Sequence, residues 1–144
     1  MAKNRNSTRY KSNLQEKRIA SLFDDGRQVI GSGSTPFLKG DVITGDCLIE
    51  CKTKMQESTQ ITVKREWVDK AREQAYQMRK PYYMIALSFG DDKDYFLLDQ
   101  QILEDLYSKA QAMDKVYEAM NTEGLRAEGL EDEISEIISK IYPG

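Results

Sequence analysis

Asp41 and the triplet Glu50-Cys51-Lys52 hold the residue types most capable of chemistry in this chain: two carboxylates and an amine on either side of the turn signal Gly45-Asp46. With Gly45 and Asp46 as the two turn residues, hairpin register pairs Thr44 with Cys47, Ile43 with Leu48, Val42 with Ile49 and Asp41 with Glu50. Facing β-carbons lie about 4.5–5.5 Å apart, and two like charges there are destabilising unless a positive charge sits between them. Strand alternation sends Lys52 to the face of Glu50 and turns Cys47, Ile49 and Cys51 to the other, which is expected to be the core face. Two acids and a lysine on one surface suit a hard cation such as Mg²⁺, with the lysine orienting or helping to deprotonate a water. This is the chemistry of phosphodiester hydrolysis. On spacing alone, an exposed hairpin face with an ordinary surface Glu–Lys pair accounts for the triplet too. The same spelling recurs at Asp91-Asp92-Lys93, with no apolar strand before it, and there it reads as a solvated turn.

The elements that must position these residues follow from periodicity. Leu14, Ile19, Leu22 and Phe23 recur at helical spacing after a polar, basic start, and Gly26 ends that helix. Arg27 to Ile30 is a short strand candidate leading into the glycine-containing loop Gly31-Ser32-Gly33-Ser34-Thr35-Pro36, which lacks the Gly-Lys-Ser/Thr ending of a P-loop. After the hairpin, Trp67, Ala71, Ala75 and Met78 mark one face of a helix from Lys64 to Met78, stopped by Pro81. Tyr82–Phe89 and Tyr95–Leu98 read as strands. From Asp99 onward the pattern is helical, through Ile102, Leu103, Leu106, Val116, Met120, Leu130, Ile134, Ile137, Ile138 and Ile141. The order fits an α/β or α+β sandwich.

Composition narrows the chemistry further. The chain has 144 residues and no histidine, which removes Ser-His-Asp catalysis and His-ligated zinc. Cys47 and Cys51, four apart in a strand, lie roughly 13 Å from each other, beyond disulfide reach, and are expected as reduced core residues. Residues 1–80 carry 16 Lys and Arg against 10 Asp and Glu, whereas residues 81–144 carry 5 against 14, so a polyanion would bind the first half. No stretch approaches the roughly 20 apolar residues of a membrane span, and no apolar run follows Met1-Ala2-Lys3-Asn4-Arg5, which points to the cytoplasm.

Glu16, Gly31-Ser32-Gly33-Ser34, Gly40-Asp41-Val42-Ile43 and Glu50-Cys51-Lys52, in this order, resemble the PD-(D/E)xK nucleases and, more narrowly, the archaeal-type Holliday junction resolvases, including versions encoded by bacteriophages. The resemblance covers about Ser12 to Leu98. It implies a restriction-endonuclease-like mixed central sheet flanked by helices, organised as a basic arm (1–11), a nuclease core (12–99) and a C-terminal helical extension of the same domain (100–144). It also implies that Asp41 and Glu50 bind Mg²⁺, or Mn²⁺ in its place, together with the backbone carbonyl of Cys51. Lys52 would position the attacking water, Glu16 would complete the acidic cluster directly or through water, and Ser32 would contact the scissile phosphate region. Gln74 falls where many such enzymes carry a helical glutamine, although a solvent-facing helix residue explains it as well. Gly40 stands where the family pattern has proline, a change expected to be harmless.

Phosphate contacts are expected from Arg9, Lys11, Lys17 and Arg18 before the site and from Lys54, Lys64 and Arg65 after it. The leading expectation is a structure-selective endonuclease resolving four-way DNA junctions, working as a two-fold homodimer in the cytoplasm, or in the host's cytoplasm if phage-encoded. A phage or defence nuclease acting on duplex or single-stranded DNA shares the chemistry. A non-catalytic DNA-binding module, and an interaction protein using its acidic helices, are the alternatives from other classes.

Overall fold

The first helix, α1 (Thr8–Ser21), begins within the basic segment that composition marks as an arm, so Arg9 and Lys11 are helical. The computed structural model describes residues 8–30, 40–121 and 127–142, and Ser32 with its loop lies outside them. The chain divides into two units, Met1–Leu98 and Asp99–Gly144.

The buried face of α1 differs from the expected apolar stripe. Gln15 and Ile19, one turn apart, are buried, while Leu14 and Leu22 are exposed. The cause is that α1 packs on the sheet through a polar anchor, the Gln15 amide, which takes the place an apolar residue normally fills. Past the helix the chain reverses at Gly26, where an added Cβ would sit 2.2 Å from the Ala20 carbonyl oxygen. No side chain fits there.

Strands β1 (Arg27–Gln28), β2 (Val42–Ile43) and β3 (Cys47–Thr53) follow, then α2 (Arg65–Gln77), β4 (Tyr82–Ser88) and β5 (Tyr95–Leu97). They form one mixed five-stranded sheet in the order β1-β2-β3-β4-β5, in which β3 and β4 are parallel and the other pairs antiparallel. The fold of this unit is α/β. The hairpin register is the expected one, Val42 opposite Ile49 and Ile43 opposite Leu48. Its turn is closed by the Thr44 N–H on the Cys47 carbonyl at 2.9 Å, and Thr44 Oγ1 accepts the Asp46 and Cys47 amides. Lys80 Nζ donates to the Thr44 and Gly45 carbonyls, tying the end of the crossover to the turn.

A parallel β3–β4 pair needs a long crossover, and α2 supplies it. Ala71 and Ala75 are buried on the face that packs against β3 and β4. The helix ends where Arg79 adopts the left-handed φ of 54°, with the Lys80 N–H returning to the Ala75 carbonyl, and Pro81 follows. One expectation is corrected here. Both Leu48 and Ile49, which point to opposite faces of β3, are fully buried, as are Ile85 and Ala86 on β4. The Cys47 face is therefore not the one core face, because a strand with neighbours on both sides in a partly parallel sheet is covered above and below.

In the second unit, Asp99 caps α3 (Gln100–Asn121) by accepting the Ile102 N–H at 3.0 Å, and α3 packs on α4 (Ala127–Ile141). Ile102 and Ala119 are buried, while Leu103, Met120 and Ile138 are exposed. Among the described residues no helix is long and apolar enough to cross a membrane.

Candidate functional site

Asp41 sits just before β2, and its backbone is held from both sides: its carbonyl accepts the Val29 N–H at 2.9 Å and its N–H donates to the Ile49 carbonyl at 3.1 Å. Since Ile49 is already the partner of Val42, the ladder is offset at Asp41, in the manner of a bulge. Asp41 is therefore not paired squarely with Glu50. Its carboxylate instead accepts the Cys51 N–H at 2.8 Å. The N–H and C=O of one strand residue point to the same side, so the Cys51 carbonyl is also on the Asp41 side of β3. Gly40 positions this aspartate: its φ of +84° is closed to proline, and an added Cβ would lie 2.8 Å from Leu48 Cγ. Glycine here is a requirement of the backbone.

Glu50 is buried in the middle of β3, and Lys52, two residues on, places its Nζ 3.4 Å from Glu50 Oε1. The same ammonium lies 4.8 Å from the centre of the Trp67 ring, in the first turn of α2. The Glu50–Lys52 pair is thus half-enclosed and has an aromatic wall, unlike an ordinary surface pair on a hairpin.

Burial, followed by the charge of Glu50, pushes the Asp41 carboxyl up to about 6, against the opposing pull of the Cys51 N–H. The Glu16 carboxyl on α1 is also raised, by burial and by Glu50, although Gln28 Nε2 donates to it at 3.1 Å. Three carboxylates therefore feel one another, with Lys52 the cation that opposes them at Asp41. Among the described residues no three His, Cys, Asp or Glu side chains converge closely enough to hold a metal ion by themselves. The groups that could donate directly are the Asp41 and Glu50 carboxylates and the Cys51 carbonyl, and Glu16 could join them only through water. Such a set fits Mg²⁺, which keeps several waters and takes one or two carboxylates. Cys47 and Cys51 are free; burial pushes the Cys47 thiol up to about 12 and raises that of Cys51 too.

Two residues that the sequence did not single out, Gln15 and Asp94, fasten α1 to β3, to β4 and to the segment before β5. Gln15 Nε2 lies within hydrogen-bond distance of the Lys52 carbonyl (3.2 Å), the Ala86 carbonyl (3.3 Å) and Asp94 Oδ1 (3.2 Å). Asp94 in turn takes Arg18 in a two-pronged pair at 2.9 and 3.1 Å. Arg18, expected as a phosphate contact, is thereby engaged by a carboxylate of the fold. Lys11 is similarly engaged, with its Nζ on the Gly90 carbonyl at 3.1 Å. Arg9, Lys17, Lys64 and Arg65 are exposed and Lys54 is half-buried. Lys64 lies 4.0 Å from Glu66 and Arg65 3.6 Å from Asp69, both acids of α2. Gln74 is half-buried, and its side-chain oxygen is buried without a hydrogen-bond partner, so it is not the plain solvent-facing residue that spacing allows.

A glutamine adjoining Glu16, one turn before a buried isoleucine, was the only signal for Gln15, and it reads as solvated by type. Chemically, the arrangement can hold a divalent cation on two carboxylates and keep an ammonium beside it. No family model, curated protein or solved structure matches the chain.

Proposed function

We propose that this chain is a Mg²⁺-dependent, structure-selective DNA endonuclease of the PD-(D/E)xK type, cutting four-way junctions, and that its mixed sheet is restriction-endonuclease-like. The observation that carries the proposal is the meeting, on neighbouring segments, of the Asp41 carboxylate, the buried Glu50 carboxylate and the Lys52 ammonium at 3.4 Å from it. The order of elements, with a glutamate-bearing helix before the hairpin and a crossover helix after it, supports the fold assignment. The substrate assignment rests on the motif resemblance, since one fold serves many functions.

Asp41, Glu50 and the Cys51 carbonyl would hold Mg²⁺ or Mn²⁺. When bound, the ion supplies a more acidic water and offsets charge on the phosphate. Lys52 would orient the attacking water and favour its loss of a proton. Glu16, kept in place by Gln28, adds a second-layer carboxylate reached through water. Arg9, Lys17, Lys54, Lys64 and Arg65 bind the DNA backbone, giving an affinity that falls steeply with salt and reads little sequence. Paired cuts on a symmetric junction require two sites, hence a two-fold homodimer.

The test is cleavage of a labelled four-way junction beside matched duplex and single strands, with Mg²⁺ or EDTA, by the wild type and Glu50→Gln. Paired nicks confined to the junction, and lost with EDTA or the substitution, are expected. Equal cutting of linear DNA would make it a general nuclease. Binding with no metal-dependent cutting anywhere would leave a DNA-binding module.

A further inference from the structure

Trp67 has no part in the metal chemistry, yet it lies against the one lysine that has. We propose that Trp67 is a positioning residue: its indole face holds the Lys52 ammonium beside Glu50, and continues to hold it when Glu50 is drawn to a cation. The inference rests on the nuclease reading above and deepens it. Besides feeling the charge of Asp41, Lys52 Nζ has two attractors close by, Glu50 Oε1 at 3.4 Å and the Trp67 ring at 4.8 Å, the latter within the distance at which an ammonium is bound by an aromatic face.

The two attractors respond differently to a divalent ion. A carboxylate that ligates a cation has less negative charge to offer the lysine, and the cation itself repels the ammonium. The indole face offers no lone pair to the ion, so its hold on the lysine persists. Without it, a flexible four-carbon stem would swing into solvent, where Lys52 is already 30% exposed. The ring is well placed to act as a wall. Trp67 lies in the first turn of α2, with its backbone N–H on the Lys64 carbonyl at 3.0 Å, and α2 packs on the strand that carries Glu50 and Lys52.

Trp67 is the only tryptophan of the chain, so its emission reports this contact directly. The experiment combines two measurements. The first compares the emission of the wild type with that of Lys52→Met, with and without Mg²⁺. The second measures kcat and KM for junction cleavage by Trp67→Phe, which keeps a weaker π face, and Trp67→Leu, which keeps only the bulk. Expected are an emission change in Lys52→Met, a kcat lowered roughly three-fold in Trp67→Phe and roughly ten-fold in Trp67→Leu, and KM unchanged in both. Thermal melting checks that the variants fold, and Trp67→Phe carries the test if Trp67→Leu does not. Identical emission in the wild type and Lys52→Met overturns the contact. Wild-type kcat in the folded Trp67 variants overturns the positioning role while leaving the nuclease reading standing. A wild type that cuts nothing overturns both, and the emission comparison then still shows whether the contact exists.

Discussion

The chain spells acid-x-lysine twice, and the two copies have opposite fates. Glu50-Cys51-Lys52 lies in β3, which has strands on both sides; its glutamate is buried and its lysine is shared between that glutamate and an indole. Asp91-Asp92-Lys93 lies between β4 and β5, where Asp92 and Lys93 are exposed and Asp91 Oδ1 accepts the Lys93 N–H at 3.2 Å. In a strand, residues two apart share a face and leave their side chains free for a third party. In a turn, the carboxylate is spent on its own backbone. Chemistry is thus decided by what stands beside the triplet, not by its spelling.

The largest effect should separate the two copies outright. Glu50→Gln removes a donor that the proposed Mg²⁺ site needs and leaves Lys52 without its ion-pair partner, so junction cleavage is expected to fall roughly a thousand-fold or more. Asp91→Asn should change it less than about two-fold. Single-turnover rates of both variants under the same Mg²⁺ concentration make the comparison, and comparable losses would break it.

The turn region nevertheless contains one residue that the fold depends on, three positions after Asp91. Asp94→Ala strips the carboxylate from Arg18 and Gln15 at once, leaving a half-buried guanidinium short of this acceptor and the fully buried Gln15 amide with only the Lys52 and Ala86 carbonyls. Charged hydrogen bonds are worth about 1.5–3 kcal/mol each, and exposure of the Arg18 side chain trims the total, so a loss of about 2–4 kcal/mol is expected in denaturant melts. A loss below about 1 kcal/mol would show that α1 is held without the polar anchor.

Asp94 also marks where the sequence stopped being legible. The hairpin could be read from Gly45-Asp46 and the flanking alternation, and α2 from the spacing of Trp67, Ala71 and Ala75, because local turn chemistry and period govern both. The pairing of Glu50 with Lys52 followed from strand alternation alone. The burial of Gln15, the commitment of Arg18 to Asp94 and the wall formed by Trp67 depend on residues 15 to 79 positions apart that no local pattern couples, and polar type pointed the wrong way for two of them. The offset at Asp41 was hidden for a related reason: β2 is only two residues long, and the aspartate bonds Val29, just after β1, and Ile49 of β3.

A carboxylate kept for a cation should cost stability when the cation is absent, and Asp41 allows this to be measured. Its folded-state carboxyl titrates near 6, above the ordinary 3.8. A raised acid binds its proton more tightly in the folded state, so the contribution is fully present below about pH 3.8 and is lost as pH rises through about 6. In EDTA, Asp41→Asn should therefore be more stable than the wild type at pH 8, by about 2–3 kcal/mol, and nearly equal to it at pH 4. Mg²⁺ should raise the melting temperature of the wild type at pH 8 and leave Asp41→Asn nearly unmoved. Equal stability of the two proteins across this range would mean that the site carries no strain for an ion to relieve.

The smallest effect sharpens the comparison from the other side. If the second triplet is only a turn, the double substitution Asp91→Ala, Lys93→Ala removes one local side-chain-to-backbone bond and a minor charge attraction to Arg18, and its stability change should stay within about 0.5 kcal/mol. The backbone of that turn is set instead by Gly90, at φ +97°, where an added Cβ would meet the Gln56 carbonyl oxygen at 2.7 Å. Ser88 Oγ, which donates to the Asp91 carbonyl at 3.0 Å and accepts the Gly90 N–H at 3.3 Å, holds the loop through main-chain groups that both substitutions preserve. A silent double variant would show that the loop's geometry comes from glycine and Ser88, whereas a loss comparable to that of Asp94→Ala would mean that the second triplet, like the first, is engaged with the rest of the fold.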